Sequence, residues 1–475
     1  MIKNLLNEKQ ISEVKTDICI IGAGAAGISI FQKLTNKKIN CVICEGGNLE
    51  FEEKSQEIYN GKIIGDDYLS LEVSRLRFLG GTTNHWAGWC KPFDEIDFDN
   101  SYLDLGEHAK WPFEKKVLDF YLNDACKVLG IKNIFNTISE EEHEVSFVNF
   151  NRSDVRMGRK YFDHLRNSSI SSLFINSNLV EIEYKNEIIN SALFKSYNGN
   201  LLKVRAKTFI FAMGGIENSR FLLWFREKYN NFLNMELPIG KYYMDHPSFY
   251  IGDMLIKEKA FNTGFFSINS EIQKKEKIQN LAFWLNRDPK NKERLTNELK
   301  SIAPNLEKKN FANIFNKISD FIAVNIWANS AQFPRQTNYI ELSKKEKDKF
   351  GIPKVILNWK ISDLEKKTYK TSINIFNNWI LENDLGRIKL QDWVIDGKFF
   401  PSANSKIGNH HMGSTRMSNS EKYGVVDKNL KVFGLKNLYI ASSSVFPTSG
   451  HQNPTLSIVQ LSLRLADYLG AKHKL

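Results

Sequence analysis

The feature that most constrains this chain is a six-residue turn, Gly22-Ala23-Gly24-Ala25-Ala26-Gly27, set between two apolar segments. DICIIGA at 17–23 reads as a short buried strand, and ISIFQKL at 28–34 reads as a helix. A second apolar strand, Asn40 to Cys44, ends at Glu45. Strand, glycine turn, helix and strand in this order open a doubly wound α/β domain. Glycines in the G-x-G-x-x-G pattern have three separate tasks. Gly22 permits the tight turn, Gly24 lets the backbone approach a pyrophosphate, and Gly27 lets helix and strand pack closely. The helix start then turns unpaired N–H groups toward phosphates. Glu45, followed by Gly46, stands where a carboxylate can take both hydroxyls of an adenosine ribose.

Composition excludes several other classes. Hydrophobic residues make up 42% and charged residues 25% of 475, which is globular rather than disordered or fibrous. Five cysteines do not make a disulfide scaffold, so a reducing, cytoplasmic setting is expected. Cys41 and Cys44 form a C-x-x-C, but on a strand positions three apart face opposite ways, and no second Cys/His pair completes a zinc site. No metal is expected. No apolar run is long enough to span a membrane, and the first 17 residues lack the apolar stretch of a signal peptide. The net charge is +11, but the lysines at 274–277 and 344–349 carry no interleaved aromatics, so no nucleic-acid partner is expected.

Further along, Lys203 to Ala212 reads as a strand running into Gly214-Gly215, with a helix from about Glu217 to Arg226. Residues 321–328, 338–343 and 354–360 read as strands, and 363–382 as a helix. After 405 come glycine-rich turns, a strand from Asn437 to Ala441, and an amphipathic helix from Pro454 to Leu469.

Three segments narrow the reading: Leu79-Gly80-Gly81-Thr82-Thr83-Asn84-His85-Trp86, Asn409-His410-His411-Met412-Gly413-Ser414-Thr415-Arg416-Met417, and Gly424-Val425-Val426-Asp427 leading to Pro447-Thr448 and Asn453-Pro454-Thr455. With the amino-terminal turn, this set resembles the glucose–methanol–choline (GMC) family of FAD-dependent alcohol oxidoreductases over nearly the whole chain. GGTTNHW is most similar to its sugar-oxidising branch, with pyranose 2-oxidase and fructose dehydrogenase. Gly240-Lys241 through Asp245-His246-Pro247 is a lesser echo.

The resemblance implies an FAD-binding Rossmann-like domain at 1–105, 170–245 and 405–475, interleaved with a sheet-plus-helix (α+β) substrate domain at 106–169 and 246–404. It implies FAD contacts from Gly22, Gly24, Ala25, Ala26, Gly27, Glu45 and Gly46, then from Gly80, Gly81, Thr82, Thr83, Asn84, His85 and Trp86. Val180, Ala212, Gly214, Ser443, Asn453, Pro454 and Thr455 complete the expected set. His85 matches a histidine bonded to the flavin in pyranose 2-oxidase. Asn84 differs from that enzyme's Thr, and noncovalent FAD is the expectation. Ser442 stands where the family usually has Asp.

Oxidising an alcohol removes a hydroxyl proton and a carbon-bound hydride. A histidine suits the first task, and a second polar group must hold the oxygen. The resemblance assigns these roles to His410 and Asn453. His411 is an alternative base, one residue out of register, and His451 an alternative second residue. His108, His143, His164, His246 and His473 read as ordinary. The implied activity is oxidation of a CH–OH group of an alcohol or sugar, with oxygen, a quinone or a redox protein as electron acceptor. A lyase or light-driven flavin reaction on the same fold, or a non-catalytic flavin protein, are the competing readings.

Overall fold

The strand Ile11–Ile21 pairs in parallel, residue for residue, with Leu201–Phe211, from Ile11 against Leu201 to Ile21 against Phe211. A computed structural model describes residues 1–8, 11–135, 144–257, 264–287, 321–396 and 406–473. Both strands begin earlier than their apolar runs suggest. The first half of Ile11–Ile21 alternates exposed and half-buried residues, that of Leu201–Phe211 half-buried and buried ones, and only the last four of each are continuously buried. Apolar content marks the buried half, whereas the ladder hydrogen bonds extend the strand beyond it.

These two strands are the centre of an eight-stranded sheet. Cys41–Cys44 and Ser172–Ile175 continue it in parallel on one side, and the hairpin Asn178–Lys185/Ile188–Lys195 adds antiparallel strands on the other. Leu438–Ile440 pairs in parallel with the carboxyl end of Leu201–Phe211. The helix Ala25–Asn36 follows the first glycine turn and packs against Thr455–Lys472. Phe31 and Leu34 of the first helix and Leu456, Val459 and Leu463 of the last are buried in the same core.

A second sheet is antiparallel and runs in the order Gly386–Leu390, Pro247–Lys257, Phe321–Ser330, Leu281–Arg287, Phe265–Ile268, Val145–Val148. The helix Asp363–Glu382 covers one face of it. Tyr369, Ile373, Phe376 and Ile380 from this helix join Phe249, Phe283 and Ile326 in a second core. The spacing of four, three and four along the helix is that of one apolar stripe. Its start carries a capping box between Ser362 and Glu365.

A three-stranded sheet, Tyr339–Lys347, Pro353–Trp359 and Gly61–Gly65, packs into the first core. So do Trp111, Leu122, Leu129 and Leu165. Among the described residues no helix is long and apolar enough to cross a membrane. His143 lies outside the described residues.

Candidate active site

The glycine turn has the geometry its residue types suggest. Gly22 has φ +106°, and a Cβ there would meet the carbonyl oxygen of Ala212 at 2.5 Å. A Cβ on Gly27 would meet the Gly22 carbonyl oxygen at 2.0 Å, so Gly27 is the helix–turn packing point. At Gly24 nothing lies within 4 Å of a Cβ, and the same is true of Gly214. Both open onto one cavity of about 640 Å³.

That cavity gathers residues from all the segments singled out in the sequence. Gly22, Gly24, Ala25, Ala26, Glu45, Gly46, Gly81, Thr82, Thr83, His85, Trp86, Ala212, Gly214, Ser443, Asn453, Pro454 and Thr455 line it, and His410 lies in its wall. The Glu45 carboxylate accepts from the backbone N–H of Ala23 at 2.9 Å and of Gly47 at 2.8 Å. Two backbone donors thus fix its position beside the turn.

Four expected cofactor contacts stand elsewhere. Gly27 packs as described. Gly80 has φ +94° and with Asn84 forms the turn behind the wall, where the Asn84 amide donates to the carbonyls of Leu79 and Gly81. Val180 is not among the lining residues. On the strand Asn178–Lys185 successive side chains face opposite ways, and Leu179 is the residue that reaches the cavity.

Ser442 also lines the cavity. Its hydroxyl is held by the Asn218 amide at 3.0 Å and by Ser444 Oγ at 2.6 Å, a neutral cluster where an aspartate was expected. His85 faces the cavity. Burial first, and the nearby Arg156 second, hold its imidazole below its ordinary pKa.

His410 and Asn453 are brought together from segments 43 residues apart, with Asn453 Nδ2 3.2 Å from His410 Nε2. Backbone pairing places His410. Met244 and Met412 exchange both N–H···O bonds, at 3.0 and 2.9 Å, which lays 244–246 beside 408–412. Asn409 has φ +56°, a conformation its short polar side chain tolerates. The Asp245 carboxylate then accepts the backbone N–H of His410 at 2.7 Å and of His246 at 2.6 Å. Tyr68 donates its hydroxyl to the same carboxylate. Burial raises the Asp245 carboxyl to about 7.

The His246 ring, read as ordinary in the sequence, lies against His410, with Nδ1 to Nδ1 at 2.8 Å. Burial, followed by the neighbouring His246 and His411, keeps the His410 pKa well below its usual value. His411 lines the cavity too, but its Nε2 has no hydrogen-bond partner among the described residues, and it does not meet Asn453. His451 is buried against Phe150, with Nδ1 3.7 Å from Asp94 Oδ2.

Sequence reading missed the far wall. Trp89, Phe150, Phe265, Trp284 and Trp327 line it. Phe150 and Phe265 stack at 3.9 Å between ring centres, Trp89 meets Phe265 edge-on at 5.3 Å, and Trp284 pairs across the ladder with Trp327. Alternation of aromatic residues on adjacent strands is the signal that was available. Arg75 and Glu217, also missed, line the cavity as an ion pair at 2.8 Å. Glu217 further bonds Arg220 at 2.9 Å, and Arg220 bonds Asp348 at 2.6 Å, all buried. Among the described residues no group of three His, Cys, Asp or Glu is placed to hold a metal ion.

The cavity therefore has a glycine-lined cradle at a helix start, an acidic side chain beside it, and a histidine–asparagine pair with an aromatic wall. Known proteins are similar to this chain in sequence and in fold. Residues 334–462 match the family model described as GMC oxidoreductase. The chain is 25% identical to the fructose dehydrogenase large subunit of Gluconobacter japonicus over 554 aligned positions, covering 96% of this chain and 97% of that one. It is 27% identical to a 2-methyl-1,2-propanediol dehydrogenase of Mycolicibacterium austroafricanum over 139 residues, 29% of this chain and 24% of that one. A solved formate oxidase from Aspergillus oryzae superposes with a TM-score of 0.58 at 17% identity, covering 97% of this chain and 99% of that one. Pyridoxine 4-oxidase from Mesorbium loti does so with a TM-score of 0.59 at 13% identity, covering 95% and 99%.

Over residues 334–462 the chain matches the GMC oxidoreductase family, and over nearly its whole length it is similar to a fructose dehydrogenase large subunit. The open space at Gly24 and Gly214 together with the helix start at Ala25 fits a dinucleotide such as FAD.

Proposed function

We propose that the chain oxidises the CH–OH group of a neutral alcohol or sugar, with His410 as general base and Asn453 holding the reacting oxygen. The observation that carries this reading is the 3.2 Å approach of Asn453 Nδ2 to His410 Nε2 in the wall of the cavity. A substrate oxygen that reaches both side chains from the cavity meets one acceptor and one donor. Hydride leaves a carbon readily only as its oxygen gains alkoxide character, so base and donor must converge on one atom.

FAD, when bound, supplies the hydride acceptor. His410 Nε2 takes the hydroxyl proton, and the lowered pKa keeps that nitrogen unprotonated at neutral pH. Asn453 orients the oxygen so that the C–H bond is aimed at the cofactor. Glu45 and the amides at Ala25 and Ala26 hold the dinucleotide, and noncovalent attachment beside His85 is part of the proposal. The charged lining residues Glu45, Arg75, Arg77 and Glu217 all lie outside the aromatic sheet face. That face therefore suits an uncharged substrate, by stacking on apolar C–H surface. The proposed pair favours oxidation over a non-catalytic flavin protein.

The test is anaerobic mixing of the holoenzyme with a panel of sugars, polyols and simple alcohols while following flavin bleaching. Bleaching by at least one of them is expected. A flavin that none reduces, in protein with full FAD content, would remove the reading.

A further inference from the structure

His246 and His410 come from segments 164 residues apart, yet their Nδ1 atoms lie 2.8 Å from each other. Two neutral imidazoles at that distance share one proton, so one nitrogen donates and the other accepts. The second nitrogen of each ring decides which. His246 Nε2 points at the Ser449 carbonyl oxygen, 3.4 Å away, which can only accept. His246 Nε2 therefore carries its proton and its Nδ1 presents a lone pair. The donor across the gap is then His410 Nδ1–H, and this leaves His410 Nε2 bare, facing Asn453 Nδ2.

We propose that His246 is a positioning residue for the oxidation. Its Nδ1 holds His410 in the one tautomer whose Nε2 can take the substrate proton. The inference rests on His410 being the base. Three features suit His246 to the task. It is fully buried, so no water competes for its Nδ1. Burial holds its own pKa down to about 4, so it stays neutral and keeps its lone pair. Asp245 grips the backbone N–H of both histidines, which fixes the distance between the rings. When His410 becomes an imidazolium, the same bond gains strength, because the donor is now charged.

The test compares two substitutions in the FAD-loaded enzyme. His246→Leu keeps the bulk and removes the acceptor. His246→Asn loses bulk but keeps an acceptor oxygen near the position of Nδ1. Flavin reduction at saturating substrate should fall about 10- to 100-fold in His246→Leu, as for loss of outer partners of functional histidines. Apparent substrate affinity and FAD content should stay within about twofold, and His246→Asn should recover most of the rate. A merely space-filling role predicts the opposite order, with Leu better than Asn, and would overturn the proposal. So would a His246→Leu enzyme as fast as the parent.

Should His246→Leu fail to fold, nitrogen-15 NMR of the unsubstituted holoenzyme decides. His410 carrying its proton on Nδ1 supports the proposal, and His410 carrying it on Nε2 ends it. A fully active His410→Ala enzyme would instead remove the underlying assignment of the base, so the two failures are distinguishable.

Discussion

The Asp245 carboxylate accepts the backbone N–H of His410 at 2.7 Å and so ties His410 to a different segment of the chain. That carboxyl titrates near 7 because burial disfavours its charge. A folded acid with a raised pKa binds more protons than the unfolded chain between about 3.8 and about 7. Its contribution to stability therefore decreases as pH rises through that window. Denaturant melts at pH 4.5, 6 and 7.5 should show this downward trend in the parent enzyme and a flatter one in Asp245→Asn. An unchanged slope would mean that Asp245 does not titrate there.

His410→Ala should slow flavin reduction by about two to four orders of magnitude, the range for a positioned general base. Asn453→Ala should cost about two to three orders, as for loss of a donor to a developing oxyanion. His411→Ala should cost much less, since His411 does not meet Asn453. Stopped-flow reduction of all three, each with FAD content measured, checks the assignment. A dead His411→Ala beside an active His410→Ala would transfer the role by one residue.

The pH profile follows from the same base. His410 must be neutral to accept a proton, and its pKa is lowered well below 6.5, first by burial and then by His246 and His411. A lowered pKa means that protonation sets in only at lower pH. With Asn453 as its other neighbour and the titration of Asp245 near 7 removed by Asp245→Asn, kcat/KM of that variant should stay level from pH 8 to 6.5 and fall on the acid side. An acidic limb centred above 6.5 would contradict the low pKa.

Gly24→Val separates cofactor loading from folding. Gly24 has φ −89° and no atom within 4 Å of a Cβ, so a side chain fits the protein itself. It would stand where the pyrophosphate must approach. The variant should melt like the apo parent and be purified colourless. Yellow protein with full FAD would show that the dinucleotide runs elsewhere.

Glu217→Ala should destabilise the fold by about 3–5 kcal/mol, because it leaves Arg75 and Arg220 buried without their shared carboxylate. Urea unfolding of the apo protein measures this apart from any effect on FAD. A loss below about 1 kcal/mol would mean that the arginines find other partners.

Local pattern carried the parts of the site that are contiguous in the chain. The turn Gly22–Gly27 and the acid at Glu45 are legible because each depends on a short motif with its own physical reason, whereas the roles of His410 and Asn453 rest on the family resemblance. The helix Asp363–Glu382 was read at 363–382, and the structure shows its apolar stripe and cap. What stayed hidden depends on pairing across the chain. His246 gains its meaning only from the ladder bonds that set Met244 beside Met412. The aromatic wall needs the register of Leu281–Arg287 against Phe321–Ser330. Leu179 rather than Val180 lines the cavity because one step along a strand reverses the face.

The cradle for the pyrophosphate begins at residue 22, whereas Asn453, Pro454 and Thr455 close the same cavity. The helix that starts at Thr455 also packs on the helix that starts at Ala25. During synthesis the first half of the cofactor site therefore waits, open, until the ribosome has released the last helix. A nascent chain stalled anywhere before residue 453 therefore lacks the part of the cavity wall made by Asn453, Pro454 and Thr455.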